Sequence, residues 1–151
     1  MKEILNKGDN MKQISVFLEN KEGKLRSILK ILGDANINLL ALSIADTSKY
    51  GILRLIVSDN NLAIEKLNEA NFTVREDEVA ILEIPDKPNG LNSILEILEE
   101  GNINLEYIYA FSTNKLDEAT TVMKFEDLDN AISLLEEKGA KILKEEDLKD
   151  I

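Results

Sequence analysis

The chain contains no cysteine, no histidine and no tryptophan. Without cysteine there is no disulfide framework and no thiolate metal site. Histidine is the commonest general base and metal ligand, so its absence leaves carboxylates, lysine or tyrosine as the only candidates for catalysis. Basic residues are also scarce: 18 Lys and Arg stand against 29 Asp and Glu, a formal charge of −11. They are scattered rather than gathered on one stripe. Nucleic-acid binding draws most of its affinity from cations on phosphates, so no nucleic-acid partner is expected. No run of 18 apolar residues occurs, which excludes a membrane-spanning helix and a membrane partner. Met1-Lys2-Glu3-Ile4-Leu5 lacks the long apolar stretch of a secretory signal. The expected location is cytoplasmic, with no metal and no cofactor.

What remains is an ordinary globular composition, 44% apolar and 31% charged over 151 residues. Within it, one unit occurs twice. Leu25-Arg26-Ser27-Ile28-Leu29-Lys30-Ile31-Leu32 recurs as Leu91-Asn92-Ser93-Ile94-Leu95-Glu96-Ile97-Leu98. Asn36-Ile37-Asn38-Leu39 recurs as Asn102-Ile103-Asn104-Leu105, an offset of 66. Asp59, Ala63, Ile64, Leu67 and Glu69 recur as Asp127, Ala131, Ile132, Leu135 and Glu137, an offset of 68. Matches in the same order across a whole unit point to duplication.

Hydrophobic period gives the order of elements. Ile14, Val16 and Leu18 alternate as a strand with one buried face, and Leu25, Ile28, Leu29 and Leu32 form a helix stripe. Ile37 to Ala45 reads as a second strand, 47–51 as a turn and Ile52 to Val57 as a third strand. Asp59, Asn60 or Asn61 caps a second helix, and Phe72 to Val74 supplies a fourth strand. The second copy repeats this as Val79 to Ile84, Leu91 to Glu100, a hairpin of Ile103 to Phe111 with Ala119 to Phe125, Leu128 to Lys138, and Lys141 to Leu143. The predicted class is α+β: two ferredoxin-like βαββαβ units, each an antiparallel sheet with helices on one face. Predicted boundaries are 11–77 and 78–145, joined at Glu76-Asp77-Glu78 without a Pro- or Gly-rich spacer, followed by a tail over 146–151. Units this small are marginal alone, so they are expected to pack together, sheet edge to sheet edge. Residues 1–10 fall outside the repeat. Lys7-Gly8-Asp9 read as A-rich codons contain a ribosome-binding sequence ahead of Met11, so this extension is expected to be a mis-assigned start or a polar tail.

Many functions share this fold, so function rests on the site. An RNA-recognition version wants aromatics on the central strands and a basic surface, neither of which is present. A metal-carrying version needs paired cysteines, and an acylphosphatase-like one an arginine in its first loop. Leu18-Glu19-Asn20-Lys21-Glu22-Gly23-Lys24-Leu25, however, resembles the strand–loop–helix segment of ACT domains, which ends in Pro-Gly-x-Leu. Asn36-Ile37-Asn38-Leu39 resembles their next hallmark, a Gly-x-Asn-Ile run opening strand two. The resemblance extends over both units, from Met11 to about Leu143.

That resemblance implies a non-catalytic regulatory protein that binds a free amino acid, with a homodimer as the expected assembly and a separate catalytic subunit as a further partner. In biosynthetic dehydrogenases with an ACT domain, asparagines matching Asn20 and Asn38 contact the effector. Asn20, Gly23, Lys24 and Asn38 are therefore the first candidate site. Asparagine carries an acceptor and a donor on one planar head, and the positive end of a helix dipole favours a carboxylate. The plainer roles are turn backbone for Asn20, a cap for Asn38 and permissive φ for Gly23. Asp86, Asn89, Gly90 and Asn104 form the second candidate site. This copy departs from the pattern, with Asp86 in place of Asn20 and glycine one position later. The first copy departs too, with Glu22 in place of proline. Tyr107, Tyr109 and Phe111 share one strand face where the other copy has Ala41, Ser43 and Ala45. This fits either complementary surfaces or packing under a loop. Glu99-Glu100, Glu136-Glu137 and Glu145-Glu146-Asp147 read as solvated helix faces or ends. Two alternatives stay open: the regulatory small subunit of an enzyme such as acetolactate synthase, and a structural association module without ligand.

Overall fold

The computed structural model describes residues 10–46, 49–111 and 119–148, Asp46 by its backbone alone. The extension over 1–9, Thr47 and Ser48 of the predicted turn, and the end of the tail lie outside the described residues. The chain divides into two compact units between Asp77 and Glu78.

The first unit contains β1 (Met11–Glu19), α1 (Lys24–Asp34), β2 (Leu39–Asp46), β3 (Tyr50–Val57), α2 (Asn60–Glu69) and the start of β4 (Thr73–Ile84). β3 pairs antiparallel with β2 on one side and β1 on the other, and β4 follows β1. Alternation sorts the side chains. Ile14 and Val16 of β1 and Leu53 and Leu55 of β3 meet Ile28 and Leu32 of α1 and Ala63 and Leu67 of α2. Both helices therefore cover the same face. Each leucine or isoleucine fully buried there contributes about 1.5–3 kcal/mol. Of the three cap candidates, Asp59 holds the position: its Oδ1 accepts from the Leu62 N–H at 3.0 Å.

Glu76-Asp77-Glu78, expected to join two strands, instead lies inside the single strand β4. Three acidic residues are poor strand formers, and here tertiary bonds override that preference. The Asp77 carboxylate accepts from Ser15 Oγ at 2.9 Å, Gln13 Nε2 at 3.4 Å and Arg75 Nε at 3.1 Å. Gln13 and Ser15 are buried, so this carboxylate also supplies partners they would otherwise lack.

The second unit continues β4 into α3 (Gly90–Glu100), β5 (Leu105–Ala110), β6 (Ala119–Phe125), α4 (Leu128–Glu137) and β7 (Lys141–Ile142). Its strand order is β5-β6-β4-β7, all antiparallel. Leu82, Ile94, Leu98, Met123, Phe125 and Leu135 build its core, again on one face. Asp127 caps α4 as Asp59 caps α2, accepting from the Asn130 N–H at 3.3 Å. The acidic stretch near the end forms one short helix, α5 (Glu145–Leu148), which crosses the point where a tail was expected to begin. Lys144 donates its N–H to Asp147 Oδ2 at 2.8 Å, and Leu148 is buried, which explains the turn. Both units are thus α+β and ferredoxin-like. No helix among the described residues is long and apolar enough to cross a membrane.

Candidate ligand-binding loops

In the first unit, β1 ends at Glu19 and the chain turns through Asn20 to Gly23 into α1. Asn20 is exposed, and its backbone N–H donates to the Lys49 carbonyl at 2.9 Å, tying the loop to the start of β3. Gly23 has φ 82°, a left-handed conformation that costs most residues about 1–2 kcal/mol. Its carbonyl then accepts from both the N–H and the hydroxyl of Ser27, at 2.9 and 2.8 Å. No side chain caps α1. Lys24 opens the helix, half-buried. Glu19 and Lys21 pair at 2.8 Å, fully exposed. The hydrogen bond and charge of Lys21 hold the Glu19 carboxyl below the usual range, and Glu19 raises Lys21 in return.

The second unit repeats this start with different residues. Asn89, not Gly90, occupies the left-handed position, at φ 67°. The Asn89 carbonyl accepts from the N–H and hydroxyl of Ser93, both at 2.9 Å. Again no side chain caps the helix. Gly90 is buried, one residue further on. The exposed Asp86 takes the place of Asn20, giving this loop an acceptor-rich entrance.

Asn38 and Asn104 lie elsewhere. Asn38 donates its N–H to Ser58 Oγ at 2.8 Å, and its carbonyl accepts from the Ser58 N–H at 2.9 Å, just past the end of β3. Asn20 sits at the other end of β3, where Glu19 pairs with Tyr50. Eight residues of strand, at about 3.3 Å each, put the two asparagines about 23 Å apart along the sheet. Asn104 is likewise remote from Asp86 and Asn89: its Nδ2 donates to Glu126 Oε2 at 3.2 Å, beyond Phe125, whereas Ile84 pairs with Ala119. The structure therefore brings Asn20, Gly23 and Lys24 together, and Asp86, Asn89 and Gly90 together. It does not bring Asn38 or Asn104 to the loop of its own unit.

Sequence reasoning passed over two pairs that shape these loops. Ser27 and Ser93 clamp the helix starts, and Ser58 and Glu126 hold the two remote asparagines. Both pairs recur at the repeat offsets, which is the signal that could have exposed them. Among the described residues, no group of three or more carboxylates could hold a metal ion.

Residues 10–151 match the family model described as an ACT domain pair. The chain belongs to the ACT family. Among solved structures it is similar to protein BT0572 from Bacteroides thetaiotaomicron, at 37% identity and TM-score 0.87, covering 94% of this chain and 97% of that one. It also resembles the ligand-free regulatory subunit of aspartate kinase from Thermus thermophilus, at 12% identity and TM-score 0.60, covering 87% and 94%. The corresponding subunit from Thermus flavus gives 13% identity and TM-score 0.58, covering 85% and 92%. At such identities the kinase subunits share the fold. No match was found among the curated proteins. The ACT domain pair supplies a place for the two loops: in each unit they stand between the first strand and first helix.

Proposed function

We propose that this ACT domain pair is a non-catalytic, cytoplasmic regulatory protein whose first-helix loops bind a small free amino acid. One contrast within each unit carries the reading. The second helices, α2 and α4, start on aspartates whose carboxylates already occupy the positive helix end. The first helices, α1 and α3, start on left-handed residues with no side-chain cap. An incoming carboxylate finds there the favourable end of the helix dipole and no competing anion.

The two loops differ in charge. Lys21 and Lys24 border the first, which suits the carboxylate of the ligand. Asp86 at the second accepts from an ammonium and repels a carboxylate, so the first loop is assigned the tighter binding. A ligand held at once by an asparagine of the Asn20 type and one of the Asn38 type needs the second from outside that unit, because the two stand far apart along β3. The reading therefore includes self-association as a homodimer. The enzyme it regulates is a separate chain.

A thermal-shift screen against the twenty amino acids tests it. A ligand at 100 times its dissociation constant stabilises the fold by about 2.7 kcal/mol. The expected result is a rise in Tm with one or a few amino acids, abolished in Asn20→Ala. No rise with any amino acid would sink the sensor reading and favour a ligand-free association module.

A further inference from the structure

Each unit leaves one apolar strip uncovered. In the first, Leu42 and Ile44 of β2 are 38% and 43% exposed, and Leu25 and Leu29 of α1 line a shallow depression with Arg26 and Lys30. In the second, Leu91 and Leu95 of α3 are 40% and 37% exposed and Ile108 of β5 is 36% exposed. Leu25, Leu29 and Leu42 correspond to Leu91, Leu95 and Ile108 by the 66-residue offset. β2 and β5 are also outer strands: among the described strands, β2 pairs with β3 alone and β5 with β6 alone. An outer strand flanked by exposed leucines is a template for another chain.

Charge decides which strip meets which. α1 carries Lys24, Arg26 and Lys30 against Asp34, a net +2 in a chain of −11. α3 carries Glu96, Glu99 and Glu100 with no basic residue, a net −3. Lys30 stands 2.9 Å from Asp34, so Lys24 and Arg26 carry the surplus. Like strips facing each other would set cations on cations and carboxylates on carboxylates. Unlike strips set opposite charges together. Size agrees on the other face of the two strands: Tyr107 and Tyr109 stack at 6.4 Å on β5, where β2 has Ala41, Ser43 and Ala45. Bulky residues on one outer strand beside small ones on the other fit edge to edge.

We propose that α1 and β2 of one copy dock on α3 and β5 of a second copy, outer strand antiparallel to outer strand. This rests on the self-association in the functional reading and names its surfaces. It does not depend on ligand binding.

Sedimentation equilibrium at low ionic strength tests it with three variants. Arg26→Glu with Lys30→Glu reverses the basic strip, and Glu96→Lys with Glu99→Lys reverses the acidic one. The third variant carries all four changes. Each double variant is expected to weaken association about tenfold or more, and the fourfold variant to recover to within about threefold of the parent. A monomeric parent, undiminished association of the double variants, or a folded fourfold variant that does not recover overturns the proposal. Should a variant lose its cooperative melt, the cysteine-free background offers a second route. Leu29→Cys chains are mixed with mass-tagged Leu95→Cys chains and a short bismaleimide is added. Linkage of unlike chains supports the docking; linkage of like chains only, or none, overturns it. The thermal-shift response to amino acids is read separately, so a failed interface and a failed sensor remain distinct results.

Discussion

Gly90 lies so close to Pro85 that a Cβ built on it would stand 2.1 Å from the Pro85 carbonyl oxygen. The Gly90 N–H also donates to the Lys87 carbonyl at 3.0 Å, so the loop has little room to yield. Glycine at this position is required by a close approach of backbone, not by φ. Gly90→Ala is expected to destabilise the protein by about 2 kcal/mol or more. Gly33, near the end of α1, has nothing within 4 Å of a built Cβ. Gly33→Ala there should stabilise by about 0.5 kcal/mol. Urea unfolding of both variants checks the pair, and equal effects would contradict it.

Gly23 shows the other use of glycine. At φ 82° it has open space around it, so the obstacle to a side chain is conformational. Gly23→Ala should cost about 1 kcal/mol. Gly23→Asn should cost less, because Asn89 holds the equivalent position at φ 67°. Asparagine proving worse than alanine in denaturant melts would refute this equivalence.

The capping aspartates act on stability apart from the ligand loops. Asp59→Ala and Asp127→Ala should each cost about 1 kcal/mol by removing an acceptor from a helix start. Neither should change the amino-acid response in a thermal-shift assay. A lost response with an intact fold would mean that the ligand sits at α2 or α4.

Much of this was legible in the sequence, for reasons that can be located. The duplication and the 3.6- and 2-residue periods gave both βαββαβ units, because each sheet buries one face and each helix one stripe. Glu76-Asp77-Glu78 misled, since the bonds that keep it in a strand come from Gln13 and Ser15, more than sixty residues away. At the loops, local spacing identified Asn20, Gly23 and Asn89 as neighbours of a helix start. It could not show that Asn38 lies at the far end of β3, because that depends on strand register.

The Glu19–Lys21 pair gives a pH signature. Lys21 holds the Glu19 carboxyl below its ordinary value, so the pair's contribution from Glu19 is present above the unfolded pKa and is lost as pH falls through the lower folded one. Lys21 is raised, so its contribution is present below its unfolded pKa and is lost as pH rises through the folded one. Both groups are fully exposed, so the effect on stability is small. Carboxyl carbon titration by NMR should place Glu19 below the ordinary glutamate range and return it in Lys21→Ala. An unchanged Glu19 in that variant would contradict the assignment.

The central claim is that the first-helix loops receive an amino acid. Its most direct test is a titration of the isotope-labelled protein with single amino acids, following backbone amide shifts by NMR. The account predicts saturable shifts confined first to Asn20, Gly23 and Lys24, with Asp86, Asn89 and Gly90 responding at higher concentration. No saturable shift with any amino acid, or shifts that leave both loops untouched, would contradict it.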